Sequence, residues 1–497
     1  MLEIQNQRLD DKKDPQRTYL LSAWQRMCLL LKKDFVVFLP RVIPSLFALA
    51  TLNPETGVQG FLTSASITDV LQEASTNIDS TTKININTDE TEEKDVAIQM
   101  LAVFIDELEG GFADYIEPTS KILLSLVDYA LNDSIRTSVA GSFPGLVKCA
   151  KDARPDDKAT LVAMGKTYLE ALVNALNQEQ ETEARVAQIQ AIKDVIDEVG
   201  SGFFFDPEQV NTLAKLGLDQ VEESDKRIEE NNNMMKKQDG DDEDDFDEDD
   251  EKLVKEENKG EYELQLSVAE LIGILFKTHA QLCGPLIDGL FAKTLRETVS
   301  SPIKQKKKFA LFILDDMVEF LGQGIGAKFS DVSQALLAFA VSPSPALRQA
   351  SVYGIGLMAQ NCGPLFASVS GGALQQLKTA IEIEKPAKDA VGKNKEKQWR
   401  HARDNAISAL GKIIRYQSQS IDTNAVVPSW VQLMPIVTDQ EEAKIQGDIF
   451  ADLLSSGPEL VLGANKERLN HCVSIIAELL SPKLSTDESR QKLVRLV

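Results

Sequence analysis

The sequence predicts an all-α protein, an α-solenoid (superhelix) of HEAT repeats built from about nine to ten helix pairs. Three observations lead there. Apolar residues recur at helical spacing almost throughout, while β-branched runs with period-two alternation are scarce. Breaks at Pro, Gly, Asn and Asp fall about every 15 to 20 residues. A frame also recurs: a residue that is usually basic, a small residue near +3, an apolar one at +7 and often Gly, Ala or Asp at +8. Lys94, Arg136, Arg185, Gln265, Lys307, Arg348, Arg403 and Lys444 hold its first position, at intervals of 42, 49, 80, 42, 41, 55 and 41 residues. Those intervals match the roughly 40–47 residues of HEAT or armadillo repeats once two insertions are removed.

Taken in order, Asp14-Pro15 opens a lone helix at 15–33. Helix pairs are then expected at 35–109, 112–150, 156–200, 204–280, 283–321, 327–361, 364–416 and 424–456, with a further helix from 466. The cleanest pair is Lys328–Val341, the turn Ser342-Pro343-Ser344-Pro345, and Pro345–Gln360. Proline suits a first helical position because its missing N–H would be unpaired there anyway. The expected organisation is one continuous solenoid over 1–497, interrupted by an insertion at 53–92, an acidic disordered loop at 236–260 and a basic insertion at 384–398. Within 53–92, a short helix near 66–75 and a β-like hook at 82–88 are expected. Both chain ends read as cut, since solenoids need polar capping repeats.

The net charge is 53 − 77 = −24. Binding of nucleic acid comes mainly from Lys and Arg neutralising phosphates, so direct nucleic-acid binding is not expected and basic proteins are the better partners. The five cysteines (Cys28, Cys149, Cys283, Cys362, Cys472) are never closer than 79 residues, which excludes zinc-ribbon spacing and points to a reducing compartment. The N-terminal stretch lacks the apolar core of a signal peptide, and apolar runs stop short of a membrane span, so an intracellular protein without membrane insertion is expected. The sequon at Asn132 is then without consequence.

Residues that could carry chemistry point away from an enzyme. His279, His401 and His471 are far apart, with no metal-ligand spacing. Gly322-Gln323-Gly324-Ile325-Gly326-Ala327 imitates a dinucleotide fingerprint, but it follows a helix rather than a strand and reads as a helix-to-helix turn. No nucleophile elbow, zincin motif or phosphate loop is present. No catalytic residue, cofactor or metal is expected.

The acidic residues carry more information. Several second helices end in carboxylates: Asp106, Glu107 and Glu109; Asp194, Asp197 and Glu198; Asp315, Asp316 and Glu319. Negative charge there opposes the helix dipole and costs roughly 0.3–1 kcal/mol per exposed charge, so local stability does not explain it. Stacked second helices would line a concave surface, making these acids a trough for an extended basic segment. For Asp315, Asp316 and Glu319, a solvated face and a carboxylate metal cluster stand as other readings. The run Asp239–Glu251 holds 11 acids in 13 residues, among them Asp241, Asp242, Glu243, Asp244, Asp245, Asp247, Glu248, Asp249 and Asp250. Like-charge repulsion predicts a disordered polyanion able to steer basic cargo. Against this, Lys304, Lys306, Lys307 and Lys308, then Lys388, Lys393, Lys395, Lys397, Arg400, His401 and Arg403, form basic stretches for which an intramolecular acidic partner is expected.

The strings RQASVYGIGLMAQ (348–360), FILDDMVEFLG (312–322), NAISALGKIIR (405–415), VVPSWVQLMPI (426–436) and SIIAELL (474–480), with DPQRTYLLSAWQRMC (14–28), resemble the C-terminal half of the karyopherin-beta nuclear transport receptors of importin beta-3 type. The resemblance implies an import receptor that binds basic nuclear-localisation signals of protein cargo such as ribosomal proteins or histones. It implies docking on FG nucleoporins, cargo release on binding the GTPase Ran in its GTP form, and shuttling between cytoplasm and nucleus. The repeats that carry the family's principal Ran contacts have no counterpart here. FG repeats would need apolar slots between adjacent first helices; Phe38, Phe47 and Trp430 are weak candidates beside burial in the core. The other readings are a HEAT-repeat scaffold, or an acidic chaperone for histones or ribosomal proteins, neither with Ran-dependent transport.

Overall fold

The computed structural model describes residues 16–52, 88–238, 248–385 and 393–496, and among them every regular element is a helix. Two compact units divide the chain, Met1–Leu282 and Cys283–Val497.

In the first unit, α1 (Gln16–Leu31) precedes four pairs: α2 (Leu39–Ala50) with α3 (Thr88–Leu108), α4 (Ile116–Leu124) with α5 (Asp133–Ala153), α6 (Lys158–Leu176) with α7 (Thr182–Val199), and α8 (Pro207–Gln238) with α9 (Glu248–His279). The second helices α1, α3, α5, α7 and α9 stack side by side in chain order, and each first helix packs on its own partner. The second unit repeats the plan. Its first helices are α10 (Gly284–Ala292) with α11 (Thr294–Ser300), α13 (Phe329–Phe339), α15 (Ser370–Glu382), α17 (Thr423–Leu433), and α19 (Pro458–Leu462) with α20 (Leu469–Leu479). Its second-helix layer runs α12 (Lys304–Leu321), α14 (Pro345–Asn361), α16 (Lys393–Tyr416), α18 (Gln440–Ser456) and α21 (Asp487–Leu496). Each layer is HEAT-like, and the protein is an all-α HEAT-repeat solenoid by class.

The recurring basic residue of the sequence frame has a visible job. The last carbonyls of a helix lack intrahelical partners. Lys94 Nζ donates to the Leu52 carbonyl at 2.8 Å, Arg136 to that of Tyr129 at 2.9 Å, Arg185 Nε to that of Glu179 at 2.9 Å and Arg348 to that of Ser342 at 2.6 Å. In each case a second helix reaches back to close the end of the first helix or the turn after it. Lys307 departs from the pattern: it and Lys308 lie over the Phe339 and Phe312 rings at 5.5 and 5.0 Å, so aromatic faces stand where acidic partners were expected.

Turns repeat as well. The residue after α1, α3 and α12, and the second residue after α14, has positive φ, at Lys32 (φ 48°), Glu109 (φ 49°), Gly322 (φ 50°) and Gly363 (φ 52°), and a 3-10 turn begins there each time. The glycine-rich stretch from Gly322 is therefore a helix-to-helix turn. A Cβ on Gly322 would also lie 2.7 Å from the Asn361 carbonyl oxygen.

Three expectations are corrected. Helices occupy much of 236–260: α8 runs to Gln238 and α9 begins at Glu248, so Glu248, Asp249 and Asp250 stand in a first helical turn. Bonds between the two long helices, Arg227 to Glu261 at 2.7 Å and Asn231 to Asn258 at 3.1 Å, hold the extension together. Asp241, Asp242, Glu243, Asp244, Asp245 and Asp247 lie outside the described residues. Likewise 393–398 of the basic insertion is the start of α16, clamped by Glu396 to Lys385 at 2.6 Å and to Arg400 at 2.7 Å, which draws the Glu396 carboxyl down to about 2. Of the 53–92 insertion, 88–92 begin α3; the expected helix near 66–75 falls outside the described residues, as does the hook up to 87.

Candidate functional site: a charged groove in the first unit

Between α3, α5 and α7 lies a groove of about 480 Å³. Its floor is α5, which lines it with the small residues Thr137, Gly141, Pro144 and Gly145 and, one turn on, with Lys148. The small side chains let the neighbouring helices present their last turns to a common space. A Cβ at Gly145 would sit 2.6 Å from Ile105 Cγ2 and 3.0 Å from Asp106 Oδ1, so α3 and α5 approach closely because that position is glycine. Asp106 comes from α3; Asp194, Asp197 and Glu198 come from α7. A second hollow of about 490 Å³ adjoins it through Asp106 and is lined by Lys32, Lys33, Asp34, Glu107 and Glu109. Within this unit the structure thus brings Asp106, Glu107, Asp197 and Glu198 into one acidic neighbourhood, as the spacing of second-helix ends predicts.

The neighbourhood is not purely negative. Lys33 reaches Glu109 at 2.5 Å and Lys32 reaches Glu107 at 3.9 Å; Lys148 on α5 lies 3.7 Å from Glu109. Lys151 meets Glu198 at 3.2 Å, Lys277 on α9 meets Asp197 at 2.7 Å, and Lys193 joins Asp194 at 3.4 Å to Glu270 at 2.9 Å. Apart from the contact of Lys193 with Asp194 within α7, these lysines lie on a different element from their carboxylates and 39 to 80 residues away in sequence, which is why helix-by-helix reading misses them. Asp106 is exposed, and partial enclosure in the groove raises its carboxyl above the ordinary value while Lys148 pulls against that shift. Two of the lining residues, Lys32 and Glu109, are non-glycine residues held at positive φ, a strained conformation of the kind that collects at functional sites.

In the second unit the prediction divides. Asp316 is half-buried and Glu319 exposed, but Asp315 is buried at 6% exposure and is no surface residue. Its Oδ1 has no hydrogen-bond partner and faces Gly354 of α14, where a Cβ would collide with it. Burial, followed by the Asp316 and Glu319 charges, pushes its carboxyl well above 3.8, so it is protonated well beyond the pH at which a free carboxyl ionises. Helical periodicity explains the miss: Asp315 follows Leu314 and falls on the face that α14 covers. Among the described residues no group of three or more His, Cys, Asp or Glu could hold a metal ion, so the carboxylate-cluster reading of Asp315, Asp316 and Glu319 has no support.

His279 is buried at the end of α9. Its Nε2 accepts from the Phe204 N–H at 3.1 Å, and burial lowers its pKa. The five cysteines are buried free thiols, four of them raised to about 11 or 12 chiefly by burial, and so are unreactive. Two slots between adjacent first helices are present, lined by none of Phe38, Phe47 and Trp430. One of about 680 Å³ between α4 and α6 includes Ile116, Leu161 and Met164; one of about 320 Å³ between α11 and α13 includes Leu295, Val299 and Ala338. Trp430 is fully buried, as core burial predicts, with its indole donating to Gln446.

Paired helices of about 40 residues, stacked in order and carrying charged grooves on the second-helix layer, define a HEAT-repeat binding protein. The comparisons narrow this. The family model "Importin repeat 6" matches residues 185–296. Importin subunit beta-3 of Saccharomyces cerevisiae is 24% identical over 511 residues, covering 100% of this chain and 44% of its own length. A probable importin-5 homolog of Dictyostelium discoideum is 23% identical, covering 87% of this chain and 39% of its own. Among solved structures, the karyopherin Kap121p bound to the SUMO protease Ulp1p superposes with a TM-score of 0.70 at 20% identity, over 100% of this chain and 45% of that one. Kap121p bound to RanGTP gives 0.69 at 20% identity, over 98% and 45%. The chain is therefore similar along its whole length to karyopherin-beta importins of importin beta-3 type, and it spans about half the length of the relatives it matches. Those relatives are nuclear transport receptors rather than enzymes.

Proposed function

We propose that this chain forms part of a nuclear import receptor and that its first unit receives a lysine-rich segment of protein cargo. The groove shared by α3, α5 and α7 carries the reading: carboxylates from two helices face a floor of small residues, open enough for an extended chain with long basic side chains. The resemblance to importins supplies the rest. Such a receptor docks on FG nucleoporins, for which the apolar slots at α4–α6 and α11–α13 are suited, and releases cargo when RanGTP binds. Both units contribute HEAT repeats to the receptor, which shuttles between cytoplasm and nucleus. It acts by binding rather than catalysis, without cofactor, membrane insertion or direct nucleic-acid contact.

The test is binding of a fluorescein-labelled lysine-rich peptide to the full chain at low and physiological salt. Asp106→Ser with Asp194→Ser is expected to weaken it at least tenfold, roughly the loss of one to two desolvated charge contacts. RanGTP is then added to the complex. Peptide binding untouched by the double variant sinks the groove as cargo site. Binding that needs the groove but ignores RanGTP favours a scaffold or an acidic chaperone instead.

A further inference from the structure

Carboxylates that line the groove and the adjoining hollow already hold ammonium groups, of which Lys148 itself lines the groove. Lys151 donates both to the Glu198 carboxylate at 3.2 Å and to its carbonyl at 2.8 Å, Lys277 holds Asp197 at 2.7 Å, and Lys148 lies 3.7 Å from Glu109. They arrive from α5 and α9, the helices on either side of the acidic ends. Asp106, at the junction of the two hollows, has no cation within 4 Å among the described residues.

A structural stitch between repeats looks different in this same unit. Arg136 and Glu179 form a two-pronged pair at 2.7 and 2.8 Å with side chains only 12% and 3% exposed. The lysine pairs are 45–49% exposed on the cation and 31–41% on the carboxylate. Pairs that open to water contribute little to stability and exchange readily with other ions. Each also occupies a carboxylate with the very group, a primary ammonium on a four-carbon stem, that a lysine-rich segment would bring.

We propose that Lys148, Lys151 and Lys277 are resident partners of the carboxylates in and beside the groove, so that a lysine-rich segment binds by replacing them and meets Asp106 first. This rests on the reading of the groove as a cargo site. Two consequences follow. The resident lysines set an affinity threshold, so a segment with a single lysine exchanges one ammonium for another at no electrostatic gain, whereas several linked lysines displace the residents together. Binding also depends less on salt than the number of carboxylates implies, because the groove carries few free counterions to release.

The experiment compares the full chain with a groove triple, Lys148→Gln, Lys151→Gln and Lys277→Gln, and a control triple of equal charge, Lys121→Gln, Lys259→Gln and Lys444→Gln. The control lysines pair with residues of their own helices, three or four positions away. The probe is the labelled lysine-rich peptide, read by anisotropy from low to physiological salt, with thermal unfolding alongside. The groove triple is expected to tighten binding about threefold to thirtyfold and to steepen its salt dependence, with the control triple within about twofold of the parent. Equal tightening by both triples reduces the effect to net charge and overturns the proposal. Weaker binding with a lowered melting temperature makes the lysines structural and overturns it too, as does no binding by any of the three proteins. Binding that is lost with Asp106→Ser and Asp194→Ser but unmoved by the groove triple refutes resident lysines while leaving the cargo site standing.

Discussion

Gly354→Ala tests the contact between α12 and α14 at its tightest point. An added Cβ collides with Asp315 Oδ1 and lies 2.9 and 3.0 Å from the two Leu336 methyl carbons. Leu336 can shift its side-chain tip; Asp315 is held under α14 and cannot swing to water without opening the interface. Overpacking of this kind costs about 1–3 kcal/mol, while alanine in a helix interior gains about 1 kcal/mol over glycine. The single variant is therefore expected to be destabilised by about 0–2 kcal/mol. Asp315→Ala removes the obstruction together with a buried polar group worth about 1–3 kcal/mol when unpartnered. In that background Gly354→Ala should stabilise by about 1 kcal/mol, giving a coupling of about 1–3 kcal/mol between the two sites. Urea unfolding of the Cys283–Val497 transition, checked by hydrogen exchange of α14 amides, reads the cycle. A coupling indistinguishable from zero would show that Asp315 does not define the approach of α12 to α14. The same carboxyl gives a pH signature. Its folded-state pKa is raised, so the unfolded chain loses this proton first, from about 3.8 upwards, and stability declines as pH rises through that window. Asp315→Asn should flatten that decline.

Two further outcomes are expected in the first unit. Arg136→Ala should cost about 3–5 kcal/mol in unfolding of Met1–Leu282, because Glu179 would be left buried without its cation, and adding Glu179→Gln should recover part of the loss. Burial alone would raise Glu179, but Arg136 and the backbone N–H groups of Glu181 and Gln180 outweigh it and lower the carboxyl, so this contribution is present above about pH 4.5 and lost as pH falls. His279 has a lowered pKa, so its share of stability disappears as pH drops through 6.5; exchange of the Phe204 amide should accelerate there, and much less in a His279→Gln variant.

The repeat plan was legible because it is written in local terms. Helix caps and turns sit in short windows: Asn132 accepts from the Ile135 N–H at 3.0 Å and Asp157 from the Thr160 N–H at 3.1 Å, each at the start of a helix that the spacing of apolar residues also marks. The basic frame was visible for the same reason, since Arg348 closes the Ser342 carbonyl only six residues away. Charge density misled at 236–238 and 248–260. Repulsion suggested disorder, yet α8 and α9 support one another through Arg227, Asn231, Glu261 and Asn258, contacts 27 to 34 residues apart in sequence that no local window contains.

The acids of the groove show how a cost seen in one helix is settled in another. Carboxylates at the ends of α3 and α7 oppose their own dipoles, and the sequence reading rightly asked what offsets this. One offset is a row of lysines on the next second helix over, at Lys148, Lys151 and Lys277, each worth only about 0.2–1 kcal/mol because it stands half in water. Had stability been the sole purpose, burial of these pairs in the manner of Arg136 and Glu179 would have served it better. Their exposure keeps the carboxylates neutralised without committing them, and Asp106, at the one position both hollows share, has no cation within 4 Å among the described residues. That combination, weak internal cations beside one open carboxylate on a floor of Gly141 and Gly145, is what a surface needs if a basic chain is to be admitted and later released.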